Sequence, residues 1–311
     1  EKKDLRIVYM GTPDFAVESL RCLVEGGYNV VGVVTGPDKA VGRHGSVLQP
    51  TPVKQYAVEH GLRVLQPERL KDETFLEELR SLQADLQIVV AFRMLPEVVW
   101  AMPPLGTFNL HASLLPQYRG AAPINWAVIN GDKATGVTTF MLDEGMDTGK
   151  IIYREQCMIE PDETVGEVHD KLMEIGSALV VQTVEDILAE SVELRVQKSF
   201  VQGSEILRPA PKLTRELCHV DWNGKTHKIY NLIRGLSPYP AAFTELVKGD
   251  KVTQMKIYQT VKVEGEEYAT MLAQCSMETA APGTVLSDGK TFLAITGQNH
   301  PDSAIFVDGN D

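Results

Sequence analysis

The stretch LRIVYMGTPDFAVESLRCLVEGGYNVVGVVT, residues 5–35, decides the fold class. Its two ends, residues 5–10 and 30–35, are short and almost continuously apolar. Runs of that kind belong to strands buried on both faces, as in a parallel sheet covered by helices. Between them Asp14 stands where it can cap a helix, and Val17, Leu20 and Leu23 recur along one side of it. The same apolar run returns at 86–91, 107–110 and 136–141. Five strands alternating with helical segments predict an α/β domain with a doubly wound, mostly parallel sheet. Ligands of such sheets gather at the carboxyl ends of the strands, so the loops that follow strands are where chemistry is expected. MGTPDFA at 10–16 lacks the second and third glycines of a dinucleotide fingerprint. It reads as a strand–helix turn bordering the cleft.

Farther along, Val165, Val168, Leu172, Ile175 and Leu179 follow helical spacing, which predicts one long helix over 164–188 with Thr164 as its cap. Periodicity then disappears. A helical piece at 226–234 precedes β-prone runs at 242–246, 252–259, 268–272, 283–286 and 292–295, punctuated by Gly and Asp. Short strands at this spacing predict a small β-barrel or sandwich. The expected organisation is therefore a domain over 1–189, a linker over 190–207 and a second, OB-like domain over 208–311.

Composition narrows the class. Of 311 residues, 43% are hydrophobic and 23% charged, as in globular proteins. No stretch approaches the roughly 20 apolar residues of a membrane span, and the first residues, EKKDLRIVYMG, lack the apolar core of a signal peptide. Cys22, Cys157, Cys218 and Cys275 are scattered, which fits a reducing compartment, and cytoplasm is the expectation. The net charge of −12 argues against nucleic acid as a partner, yet it is unevenly spread. Residues 1–207 hold 19 Lys and Arg against 30 Asp and Glu, while 208–311 hold 11 against 12. Between Arg195 and Arg234 there are eight basic and three acidic residues, either a phosphate-binding stretch or the ordinary scatter of a solvated segment.

The chemistry concentrates in FNLHASLLPQYRGAAPINW, residues 108–126. Strand alternation puts Asn109 and His111 on one face. An amide N–H there can stabilise a developing oxyanion, and an imidazole can handle a proton near neutral pH. MLDEGMDTGKI, residues 141–151, then supplies Asp143, Glu144 and Asp147 in a Gly-flanked loop after the next strand. A carboxylate there can orient His111 or accept a proton through water. A single strand histidine is more often structural than catalytic, so the combination of the two motifs matters more than either residue. The seven histidines show no ligand spacing, and no metal is expected.

In these two motifs the chain resembles the folate-dependent formyltransferases. The similarity extends to MGTPDFAVESL at 10–20, the Gly-Pro-Asp…Gly-Arg loop at 36–43, KLTRELCHVDWN at 212–223 and LIRGLSPYPAAFTEL at 232–246. The last two are similar to the members that act on tRNA, whereas the purine-pathway members lack this second domain. The resemblance implies transfer of a formyl group from 10-formyltetrahydrofolate, as co-substrate, to the α-amino group of initiator methionyl-tRNA, by a monomer, in support of translation initiation. It implies Asn109, His111 and Asp147 as catalytic amide, imidazole and carboxylate, with Asp147 holding His111 in position. Ser113, Leu114, Leu115 and Pro116, with Phe92, Arg93, Leu95 and Asp143, match the segments that hold the folate. AFRMLP at 91–96 is one residue shorter than the common tRNA-enzyme form, and Arg93 reads equally as a solvent-facing loop charge. Lys39 and Arg43, in a loop with little to bury and mobile without a partner, match the part that enters the acceptor stem; an ordinary surface loop is the other reading. Lys212, Arg215, Lys225, Lys228 and Arg234 are the second domain's phosphate-contact candidates. The final GQNHPDSAIFVDGND is acidic where the family usually continues into a basic segment. A small-amine formyltransferase, a formyl-folate hydrolase and a non-catalytic nucleic-acid binder are the competing readings.

Overall fold

The computed structural model describes residues 1–297 and, by its backbone, the strand Ser303–Val307. The chain opens with β1 (Arg6–Gly11), α1 (Val17–Glu25) and β2 (Asn29–Val34). A hairpin of β3 (Lys39–Val41) and β4 (Val47–Gln49) precedes α2 (Pro52–Glu59), β5 (Val64–Leu65), α3 (Glu73–Ser81) and β6 (Leu86–Val90). After α4 (Glu97–Trp100) come β7 (Thr107–His111), α5 (Pro123–Ile129), β8 (Ala134–Met141), β9 (Ile151–Met158) and the long α6 (Val165–Leu188). The central sheet has the order β5-β2-β1-β6-β7-β8-β9. From β5 to β7 the pairs are parallel; β8 runs antiparallel to β7.

Strand order reverses at β1, which lies between β2 and β6, so the crevice of the sheet opens where β1 and β6 end. Gly11 sits at that point. A Cβ there would lie 2.7 Å from both the Val90 carbonyl oxygen and the Ala16 Cβ, so only glycine lets the two strand ends approach. Burial explains the apolar runs. Every residue of β6 is buried, and Val8, Met10 and Val89 pack with Phe75, Leu76 and Leu79 of α3 on one face. Caps set the helix starts. Thr51 and Asp72 accept the Lys54 and Phe75 N–H groups, while Thr164 and Glu167 form a reciprocal capping box at the start of α6. Asp14 does not cap α1; it begins a single 3-10 turn, residues Asp14–Ala16, with no side-chain cap bond.

Two compact units emerge: Glu1–Gly120 with Gly136–Cys157 and His169–Pro209, and Ala121–Thr135 with Met158–Val168 and Ala210–Asp311. The expected linker over 190–207 belongs to the first. Arg195 exchanges both backbone hydrogen bonds with Ile151 (2.8 and 3.0 Å), and Phe200 packs on the cluster of Leu115, Phe140 and Ile151. The reason is the sheet edge: β9 is the last strand of the order, and its backbone takes a partner from this segment. The loop of Lys39 and Arg43, expected to be mobile, holds the β3–β4 hairpin, exposed along both strands.

The second unit contains α7 (Arg215–Cys218), α8 (Thr226–Leu236), β10 (Ala242–Lys248), β11 (Lys251–Ile257), β12 (Thr260–Glu264), α9 (Gly265–Gln274), β13 (Val285–Ser287), β14 (Leu293–Thr296) and β15 (Ser303–Val307). Its strands form a β10–β11 ribbon and a four-stranded sheet in the order β12-β15-β14-β13. The strand expected at 268–272 is instead part of α9. Tyr268, Met271 and Leu272 are the buried positions, a spacing of three and four that one helix face satisfies and a strand does not. The acidic end 297–311 lies outside the described residues except for Gly297 and the β15 backbone. Among the described residues no helix is long and apolar enough to cross a membrane.

Tyr230 of α8 donates to Asp162 at 2.6 Å, and burial together with that bond pushes its hydroxyl up to about 12 from an ordinary value of 10.0. The folded chain therefore holds this proton more tightly than the unfolded one. The associated stabilisation is complete below about pH 10 and is lost as pH rises toward about 12. The stability difference between the wild type and Tyr230→Phe, measured by urea unfolding, is expected to shrink across that window. A difference that stays flat through it would refute the assignment.

Candidate active site

β7 carries Asn109 and His111 on one face, one strand away from the β1/β6 crevice. His111 is 8% exposed. Its Nε2 lies 2.8 Å from the Tyr118 carbonyl oxygen, an atom that can only accept, so Nε2 carries the proton. In the neutral ring Nδ1 is then a lone pair. It faces Asp147 Oδ2 at 3.8 Å, beyond hydrogen-bond reach but close enough to attract a proton placed on Nδ1. The expectation that Asp147 holds His111 in position is corrected here: the Tyr118 carbonyl is what anchors the ring. The Asn109 side chain is half-buried and makes no hydrogen bond among the described residues, so its donors stay available.

Asp147 reaches this place by an indirect route. Because β8 is antiparallel to β7, the loop after it starts at the amino-terminal end of β7, where the Leu142 N–H donates to the Thr107 carbonyl (2.9 Å). The loop must travel the length of β7 to meet His111. Asp147 adopts a left-handed backbone (φ 56°), which Asp tolerates better than most residues, and its Oδ2 accepts the Gly120 N–H at 2.9 Å. Gly149 closes the loop. A Cβ there would lie 1.6 Å from the Met141 carbonyl oxygen, which makes glycine obligatory. Asp143 serves the loop itself, accepting from the Gly145 N–H (2.9 Å) and the Thr148 hydroxyl (2.7 Å).

The segment expected to contact folate through Ser113, Leu114, Leu115 and Pro116 is largely turned inward. Ser113 and Leu115 are fully buried, the Ser113 hydroxyl donates to the Gln117 carbonyl at 2.6 Å, and Thr138 bridges the Ser113 carbonyl and the Leu115 N–H. Pro116 is also buried, and Leu114 is half-buried against Gly136. What this segment offers a ligand is therefore backbone more than side chain.

A cleft of about 750 Å³ opens beside the β6 end, lined by Leu70, Met94, Leu95, Pro96, Trp100 and Glu144, with Arg69, Lys71, Arg93 and Glu97 also contributing. Leu95 and Arg93 were expected here. Phe92 packs into the core below it, and Asp143 is not in the lining. Arg93 is exposed, and its guanidinium is held by the carbonyls of Glu68 (2.9 Å) and Pro67 (2.7 Å), which take two of its N–H groups. The sequence reading missed Trp100 and Leu70 as lining residues, because nothing about their local pattern separates them from core positions; Glu144, noted there as a loop carboxylate, lines the cleft where Asp143 was expected.

The expected cations divide into two groups. Lys39 lies on the exposed β3 strand, and Arg43 on the turn joining it to β4, with no ion pair among the described residues. In the second unit Lys212, Lys225 and Lys228 are exposed and also unpaired among the described residues, and Arg215 lies over the Phe243 ring while donating to Gln254. Arg234 is the correction. It is 6% exposed, and its guanidinium donates to the Glu163 carbonyl (2.8 Å) and Asn231 Oδ1 (2.9 Å), so it is a buried brace.

Comparison with known proteins agrees with this geometry. Residues 5–184 match the family described as Formyl transferase, and residues 212–302 its C-terminal domain. The chain is 66% identical over 267 residues to the methionyl-tRNA formyltransferase of Parabacteroides distasonis, covering 86% of this chain and 82% of that protein. It is 57% identical over 297 residues to that of Bacteroides fragilis, covering 95% and 87%. Among solved structures, the N-formyltransferase of Helicobacter canadensis, in complex with folinic acid and dTDP-3-aminofucose, matches with a TM-score of 0.68 at 18% identity. That match covers 97% of this chain and 99% of that one, a likeness of fold. With both of its regions matched, the chain belongs to the formyl transferase family.

Proposed function

We propose that this chain transfers the formyl group of 10-formyltetrahydrofolate to the α-amino group of methionyl-tRNA, as a monomer in the cytoplasm, supplying the initiator for translation. The observation that carries the reading is the joint presence of the Asn109, His111 and Asp147 set with a second unit akin to that of the methionyl-tRNA enzymes. The cleft beside β6 suits the folate. Leu70, Leu95 and Trp100 offer an apolar bed to a flat ring, and Arg69 and Lys71 offer charge to an anionic tail.

The folate supplies an activated formyl carbon. The chain's own groups do the rest. The Asn109 amide, without a hydrogen-bond partner among the described residues, donates to the formyl oxygen as it gains negative charge. Nδ1 of His111 takes the proton that the amine loses and returns it to the departing folate nitrogen. Asp147, 3.8 Å away, stabilises the imidazolium in between. The Tyr118 carbonyl keeps Nε2 protonated, so the proton-accepting nitrogen is always the one beside Asp147. On this reading the exposed Lys39, Arg43, Lys212, Lys225 and Lys228 meet tRNA phosphates.

The deciding assay offers 10-formyltetrahydrofolate with initiator methionyl-tRNA, with amino sugars, with glycinamide ribonucleotide or with no acceptor. Turnover with methionyl-tRNA alone is expected, and turnover confined to a small amine or to water would overturn the tRNA assignment. His111→Ala is expected to fold and to lose roughly 100-fold or more in kcat, the usual contribution of a general acid/base; near-normal turnover would remove His111 from the mechanism. Arg43→Ala is expected to weaken tRNA binding and to lower the salt slope of log K by about one phosphate contact. Arg234→Met is expected to leave that slope unchanged while costing about 2 kcal/mol in stability, since it removes charged hydrogen bonds from a buried site. A slope change in Arg234→Met without loss of stability would reverse the two assignments.

A further inference from the structure

The segment 195–208 has no helical or strand periodicity, yet it wraps both supports of the catalytic pair. On one side Arg208 donates its backbone N–H to Gln117 Oε1 (2.9 Å) and accepts the Tyr118 N–H (2.8 Å), beside the carbonyl that anchors His111. On the other side stands Gln197, 4% exposed. Its amide is fully engaged. Nε2 donates to the Asp147 carbonyl at 2.7 Å and to the Gly149 carbonyl at 2.8 Å, using both hydrogens. Oε1 accepts from the Arg119 Nε at 3.1 Å and from one terminal guanidinium nitrogen at 2.7 Å.

We propose that Gln197 is a positioning residue for Asp147, tying its loop to the 118–120 segment so that the carboxylate stays 3.8 Å from His111. This rests on the reading that Asp147 acts in formyl transfer. Two features make the Gln197 amide more than a packing element. Asp147 holds a left-handed backbone that needs external support (φ 56°), and Gln197 grips the carbonyl of that very residue. The Asp147 carboxylate is fixed by the Gly120 N–H, and the neighbouring Arg119 side chain is the one that Gln197 accepts from. Tyr118, Arg119 and Gly120 thus link the imidazole, the amide and the carboxylate in consecutive residues. Displacing the 147–149 loop shifts the carboxylate relative to His111 while leaving the cleft's Leu70, Leu95 and Trp100 and the exposed cations in place.

Gln197→Glu tests this directly. It keeps the shape and an oxygen for Arg119 but turns a carboxylate oxygen toward the Asp147 and Gly149 carbonyls. We expect a folded protein, by circular dichroism and thermal melting, with kcat lowered about tenfold to a hundredfold, the scale of a misplaced catalytic group. KM for folate and for methionyl-tRNA should change little, and the pH profile of kcat should move. In an Asp147→Asn background the same change should cost little more, because the group it positions is already gone. Gln197→Met, which lacks both donors without adding charge, should behave likewise and carries the test if the glutamate variant does not fold. Unchanged kcat in the folded variants, or an equal proportional loss with and without Asp147, would overturn the proposal while leaving Asp147 in the mechanism. Full turnover by Asp147→Asn alone would overturn the reading of Asp147 and this proposal with it.

Discussion

One hydrogen bond, from His111 Nε2 to the Tyr118 carbonyl, organises the rest of the candidate site. β7 lies between two other strands of a covered sheet, and an imidazole buried there must find an acceptor for its proton. The chain meets that demand by folding residues 112–118 back over the strand end. The fold-back also explains its neighbours. Ser113 turns its hydroxyl to Gln117, Thr138 of the adjacent strand bridges two backbone groups, and Leu115 is driven into the core with Phe140 and Ile151. A segment whose residues resemble a ligand-contacting motif is thereby explained in large part as the device that fixes one ring nitrogen.

That constraint divides labour among the polar groups. Tyr118 sets the tautomer, Asp147 sets the charge environment of the other nitrogen, and Asn109 keeps its donors free among the described residues. The cations show a similar division. Arg93 donates to two backbone carbonyls, and Arg234 to one backbone carbonyl and the Asn231 amide oxygen, so both strengthen the fold where they stand. Lys39, Arg43 and the lysines of the second unit have no such acceptors among the described residues, and their charge remains available to a partner. A count of basic residues cannot tell these two kinds apart.

The α/β class was legible because double-sided burial leaves a direct signature in composition, five largely apolar runs of strand length. Two further sheet strands escaped notice for physical reasons. β5 is two residues long, and β9 mixes exposed charges with buried positions because it lies at the sheet edge. The cap at Thr164 was legible because a capping box is a local bond between residues three apart. The strand expected at 268–272 failed because a five-residue apolar run was taken without the helix-forming residues around it, whose spacing fits one buried helix face.

The sequence by itself determined the sheet and the face on which the candidate residues stand, since strand alternation alone places Asn109 and His111 together. That Gly11 and Gly149 admit no side chain was decided by the tertiary structure, which brings the Val90 and Met141 carbonyls against them. Only the tertiary structure decided how these groups meet. The antiparallel run of β8 sends the Asp147 loop along β7, the Tyr118 carbonyl and not Asp147 anchors the imidazole, and Gln197 returns from 50 residues away to grip the loop. Such contacts join residues distant in sequence and depend on strand direction and edge pairing, which no local pattern of residues encodes.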